Sequence, residues 1–189
     1  MFKHLSLITN NDMKFKNSQR VLKKFDIEVE QVKMAVPEIQ SEDVTQIAEF
    51  SAKYAGDLLN KTTIKVDVSF EINALNGFPG PFVKYINQWL SPEKILCLME
   101  NEKDRTALFV DCVSFYEPEG QRCINFVSKT PGLISENVQG DNGWGVDKIF
   151  IPEGCSQTLA CFSEEEKQGI WNQAHWQQLG LHLQKLTDY

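Results

Sequence analysis

The sequence predicts an α/β protein with a mixed twisted sheet flanked by helices. Strand-like and helix-like segments alternate over the first half of the chain, the rhythm of a layered α/β architecture, and two long strand-like runs joined by a turn follow late, adding a hairpin. The scale agrees. With 189 residues, 42% of them hydrophobic and 24% charged, the chain suits one domain, 1–189, with a substantial core; no linker, repeat or low-complexity block divides it.

Residues 2–9 read as the first strand, running into the polar loop Asn10-Asn11-Asp12 and a helix that carries Val21, Leu22 and Phe25. Residues 27–34 alternate apolar and polar and predict a second strand. Val44, Ile47, Ala48, Ser51, Tyr54, Ala55, Leu58 and Leu59 recur at helical spacing, predicting a long helix over 43–60, followed by a strand over 63–70. Ser91-Pro92-Glu93 opens another helix, with a capping serine and proline at its first position. The two long strands cover 106–116 and 122–129, around the turn cluster Glu117-Pro118-Glu119-Gly120, and a short strand covers 147–151. Ser163 and Glu166 form a capping-box pattern for a last helix that continues toward Tyr189.

Charge and cysteine content exclude several classes. A net charge of −7 argues against a nonspecific nucleic-acid binder, which carries a basic surface, but leaves room for a few lysines around a small anion. No apolar run approaches the roughly 20 residues that span a membrane. The five cysteines are odd in number, scattered and without a C-x-x-C pair, so neither zinc nor a disulfide framework is expected; reduced thiols in a cytoplasmic protein are.

Four stretches carry candidate chemistry. Thr9-Asn10-Asn11-Asp12-Met13-Lys14 runs from a strand through a polar loop into a helix N-terminus, a design suited to phosphate, although it lacks P-loop glycine spacing. Glu38, in Val36-Pro37-Glu38-Ile39-Gln40, is either a solvated loop carboxylate or a ligand. In "KVDVSFEINALNGFPGP" (65–81), where metal-dependent phosphate chemistry uses clustered carboxylates, Asp67 stands between Val66 and Val68. In the stretch 139–147, three glycines surround Trp144, offering either a stacking face for a flat ligand or a turn with a half-buried indole.

Together these stretches resemble the inosine triphosphate pyrophosphatase family, the Ham-type house-cleaning nucleotidases, over about 7–179. The strongest points are "VPEIQ" (36–40), "EINALNGFPGPFVKY" (71–85), "GDNGWGVDKIF" (140–150), "IPEG" (151–154) and "SEEEK" (163–167). The resemblance implies an elongated fold with two lobes around a nucleotide cleft, and a homodimer. It implies magnesium-dependent conversion of a purine nucleoside triphosphate, preferably deaminated (ITP- or dITP-like), to monophosphate and pyrophosphate. Carried over by position, Thr9, Asn11 and Lys14 match the phosphate loop, Lys84 and Lys167 further phosphate-facing lysines, and Glu38 a magnesium ligand. Asp67 matches the second member of an acidic pair that ligates the metal and orients or deprotonates the attacking water. Trp144 matches the base-stacking aromatic and Asp147 a residue at the base edge.

The departures fall at functional positions. The loop glycine is Asn10, a position often glutamate is Lys16, and the first acid of the pair is Val66. The purine grip Ser-His-Arg is here Trp171-Asn172-Gln173, whose amides, unlike arginine, both donate and accept. His175, three residues after Asn172, is either a replacement for that grip or a packing histidine beside Trp171 and Trp176. Phosphate and stacking positions are kept while acidic and grip positions are lost. That selectivity leads us to expect a nucleotide sensor or regulatory subunit with weakened catalysis, akin to the Ham-type component of the Kongming antiphage system, with an effector protein as partner. An active pyrophosphatase of altered base preference is the alternative, and a structural dimer module with a vestigial cleft a third reading.

Overall fold

The computed structural model describes residues 4–186. Its elements are β1 (His4–Ile8), α1 (Asp12–Leu22), β2 (Glu28–Val32), α2 (Val44–Leu59), β3 (Thr63–Ile72), β4 (Pro79–Gly80), α3 (Val83–Trp89), α4 (Pro92–Leu98), β5 (Thr106–Glu117), β6 (Arg122–Ile134), β7 (Phe150–Pro152), α5 (Glu164–Ile170) and α6 (Ala174–Lys185). The strands pair in the order β2-β1-β3-β5-β6-β7, with β4 on β3. β1 runs parallel to β2 and β3, whereas β3–β4 and β6–β7 are antiparallel, so the sheet is mixed as expected. The chain divides into two compact units. The first comprises the residues up to Asp67, Asp111–Ser128, and those from Gln173 onward; the second comprises Val68–Val110 and Lys129–Asn172.

The core of the first unit follows from strand alternation. Leu5 and Leu7 of β1, Ile64 and Val66 of β3, and Val113 and Phe115 of β5 are spaced by two and so share a face. Val21 and Leu22 of α1 and Trp176, Leu179 and Leu183 of α6 cover it. The expected helix over 43–60 is present with its ends fixed by side-chain chemistry. The Asp43 carboxylate accepts from the Thr45 amide at 2.8 Å, and Asn60 closes the helix in the left-handed region at φ 49°.

Aromatic packing dominates the second unit. Phe109 lies 4.5 Å from Phe70, 5.0 Å edge-on to Phe150 and 4.9 Å edge-on to Trp171, between ring centroids. The "NALNGFPGP" run is a reversal device: Asn76 and Gly77 take positive φ, and Pro79–Gly80 returns antiparallel against Phe70–Glu71 before α3 begins.

Three expectations need correction. The last helix is not continuous: the chain leaves helical geometry at Trp171 (φ −63°, ψ 131°), whose indole packs against Phe109, and a separate helix starts at Ala174. β6 runs to Ile134 through Pro131 and Gly132, because Gly132–Ile134 pair with β7; a side chain at 132 would meet the Ile151 carbonyl. The short strand is Phe150–Pro152, since Val146–Lys148 form a 3₁₀ turn instead. In addition, Ser91 stands at the start of α4 but makes no capping bond, and its hydroxyl helps hold the Glu93 carboxyl below its ordinary value.

Candidate functional site

In the first unit, β1 delivers the loop that opens α1. Asn11 is the helix cap: its carboxamide oxygen accepts from the Met13 amide at 2.9 Å and the Lys14 amide at 3.1 Å, and its own amide donates to the Thr9 hydroxyl at 3.0 Å. Asn10 is not among the residues with positive φ, so the loop closes without a glycine there. The Lys14 ammonium reaches across to β3 and donates to the Val66 carbonyl at 3.0 Å. Burial pushes the Lys14 ammonium down, opposed chiefly by Asp67 and also by Asp111 and Glu38, while Lys65 adds to the fall. Glu38 is exposed and pairs with Lys65 at 3.5 Å. Val66 is a core residue, 5% exposed, so its position contributes no charge.

The second unit holds the glycine–tryptophan loop. The Asp147 carboxylate accepts from the Trp144 amide at 3.0 Å, and a side chain at Gly143 (φ 91°) would collide with that carboxylate. This fixes the turn and leaves the Trp144 indole half exposed, at 52%. Behind it, the buried Lys167 ammonium lies 3.8 Å from Asp147 and 2.9 Å from Glu164. Burial raises the Asp147 carboxyl, against the Trp144 amide bond and the Lys167 charge. Asn87 of α3 accepts from the Val146 amide at 3.0 Å, tying α3 to the loop. Lys84, on the same helix, is exposed and lies 5.8 Å from the Tyr85 ring centroid.

The sequence-selected residues thus fall into two groups. Thr9, Asn11, Lys14, Glu38 and Asp67 belong to the first unit; Lys84, Trp144, Asp147 and Lys167 belong to the second. Asn172 is exposed, and its amide donates to the Lys129 carbonyl at 3.0 Å, so that donor is committed. Gln173 caps α6 through its backbone, and its side-chain oxygen is buried without a hydrogen-bond partner. His175 is buried, 2.5 Å from the Ser128 hydroxyl and beside Trp176, which makes it a packing residue. Sequence reasoning passed over Lys65, Asp111, Asn87 and Glu164. Asp111 alone carried a usable signal, an acid within the otherwise apolar run 107–113. Among the described residues no three His, Cys, Asp or Glu side chains stand together as an ion site.

A model of the Ham1 family matches residues 5–175. A dITP/XTP pyrophosphatase of Methanopyrus kandleri is 40% identical over 159 residues, covering 84% of each chain, and one of Saccharolobus solfataricus is 36% identical over 163 residues, covering 86% of this chain and 84% of that one. The solved Staphylococcus aureus Ham1 protein superposes with a TM-score of 0.81 at 28% identity, over 98% of both chains. With the sheet order, the capped loop at Lys14 and the glycine–tryptophan turn already in place, these matches decide the lineage: the chain belongs to the Ham1 family.

Proposed function

We propose that this chain binds a deaminated purine nucleoside triphosphate, dITP- or XTP-like, and hydrolyses it slowly, as a sensor or regulatory subunit. One observation carries the reading. The first unit keeps a capped helix start and Lys14 for phosphates, while Val66 is sunk in the core and leaves Asp67 without an acid beside it. Lys14 takes the phosphates, Asp67 positions water, and Trp144 stacks on the base, with Asp147 holding the loop that presents it. Magnesium suits this donor set as an ion that arrives with the phosphates. Glu38 and Asp67 offer hard carboxylate oxygens, and such ions take one or two carboxylates and complete their shell with phosphate and water. The bound ion would supply neutralisation of phosphate charge.

The test is a panel of deaminated and ordinary nucleoside triphosphates, reading binding and pyrophosphate release on the same protein. Tight binding of dITP or XTP with little release supports the proposal. A defence role of the Kongming kind, with an effector protein reading the bound chain, depends on the same outcome, since a signal that is consumed at once cannot be held. A second reading, an active dITP/XTP pyrophosphatase, is favoured by the names of the relatives, and rapid release would establish it.

Trp144→Ala is expected to cost about 1–3 kcal/mol of nucleotide affinity, checked by titration, because the half-exposed indole is the stacking face. Unchanged affinity would move the base elsewhere.

The proposal includes a homodimer. Val83 and Ile86 of α3 are core residues, whereas Phe82, Tyr85 and Trp89 are exposed, Tyr85 stacked on Trp89 at 5.5 Å. Light scattering should give about twice the 21.6 kDa chain mass. A monomer at micromolar concentration would refute it.

A further inference from the structure

A cavity of about 630 Å³ lies in the first unit between α1 and β2. Lys16 and Arg20 of α1 and Lys23 just after it line one part; Asp26, Ile27 and Val29 line another, the last two buried and apolar. The three cations follow one another at spacings of four and three, so they stand in a row on one side of the helix. Lys14 falls about 200° round the helix from Lys16, which separates this row from the phosphate loop. Among the described residues none of the three cations is ion-paired. Of the two acids at the cavity, Glu28 is held by His4 at 3.0 Å, and alternation puts it on the sheet face opposite Val29. Asp26 is left against three cations. In a chain of net charge −7, such a local excess of positive charge favours an acidic ligand.

The sheet says what form that ligand takes. β2 is an edge strand. The Val32 carbonyl accepts from the Thr9 amide at 3.2 Å, so Val32, Glu30 and Glu28 turn their backbone groups toward β1. Val29 and Gln31, between them, turn theirs outward, to the side where no strand pairs among the described residues. Because α1 joins two parallel strands, it runs back alongside β2, and the row of cations follows the same line as the unpaired backbone. From Lys16 to Lys23 the row spans about 10 Å at ~1.5 Å per residue. Side chains on one face of an added strand recur every ~6.7 Å, so two acidic residues two positions apart match that length. A compact anion would use the cations and leave the strand edge unused.

We propose that this groove docks an extended acidic peptide segment of a partner protein, which adds as a strand to the edge of β2 and sets alternate carboxylates against Lys16, Arg20 and Lys23.

The experiment measures fluorescence anisotropy of short labelled peptides with the full chain at low salt. The probes are alternating glutamate and threonine, the same peptide N-methylated along one backbone edge, and a version with lysine for glutamate. The glutamate peptide is expected to bind, its N-methylated form at least about tenfold more weakly, and the lysine form not at all. Arg20→Ala with Lys23→Ala should weaken binding about five- to tenfold. The Val29 and Gln31 amide resonances of wild type should shift on binding. The N-methyl comparison is made on wild type, so it stands whatever the stability of the double variant. No binding of the glutamate peptide overturns the proposal, as does equal binding of its N-methylated form or full affinity in the double variant. Inorganic tripolyphosphate shifting the same amides where the peptide does not would make this a small-anion site instead. Concentration-dependent protection of the Val29 and Gln31 amides without peptide would assign the edge to a second copy of the chain, and overturn the proposal as well.

Discussion

Lys167→Met is expected to lower the stability of the protein by about 3–5 kcal/mol at neutral pH. Methionine replaces most of the volume, so packing is conserved and the loss is electrostatic. The buried Lys167 ammonium lies 3.8 Å from Asp147, whose carboxyl is already raised above 3.8 by burial and held down in part by that charge. Without the ammonium the folded-state value rises further, and the folded chain must carry an uncompensated buried carboxylate or take up a proton. The sign follows directly. A carboxyl with a raised folded value favours folding in its protonated form, so the cost is absent below the ordinary value of 3.8 and grows as pH rises through the folded value. Urea unfolding at neutral pH and near pH 4 should therefore show a deficit that shrinks in acid. A deficit below about 1 kcal/mol at neutral pH, or one independent of pH, would refute it.

Wild-type protein supplied with magnesium and dITP should bind at micromolar affinity or better and release pyrophosphate about 10²–10⁴-fold below the usual enzyme range of about 1–10³ per second. Val66 is a packed core side chain, so on the sensor reading Asp67 positions water with no acid at the adjacent position, the other acid of β3 being Glu71, which accepts from the Ser69 hydroxyl. Losing one such electrostatic contribution costs about 3–5 kcal/mol of barrier. Turnover inside the ordinary range, abolished by Asp67→Asn, would sink the sensor reading and establish the pyrophosphatase.

Elements with strong local signals were legible in the sequence: the 3.6-residue period of α2, the long apolar run of β5 ended by a turn cluster, and the reciprocal Ser163–Glu166 cap of α5. What was missed depends on distant contacts. The break at Trp171 carries only the weak local signal of Gly169, while the contact that holds the indole there, with Phe109, is sixty-two residues away. Pro131-Gly132 reads as a strand breaker until β7 supplies a partner that accepts them. The candidate site shows the same division. Asn11 caps α1, Lys14 lies in its first turn and Trp144 sits in a loop, all in stretches of distinctive wording, whereas Asp111 is noticeable as an acid in an apolar strand but its influence on Lys14 emerges only in the folded chain.

The Asn11 cap has a consequence for how a ligand is received. Its carboxamide oxygen already occupies the amides of Met13 and Lys14, acting as an internal stand-in for an anion. On the proposed reading, an incoming phosphate gains there only the difference between its own bonds and those it displaces, so discrimination at this loop passes from the helix end to the charge on Lys14, held at the Val66 carbonyl. The same bond keeps the first turn of α1 formed in the empty protein. The receiving surface is thus ready-made, with no melted turn to refold and little ordering entropy to lose when a nucleotide arrives.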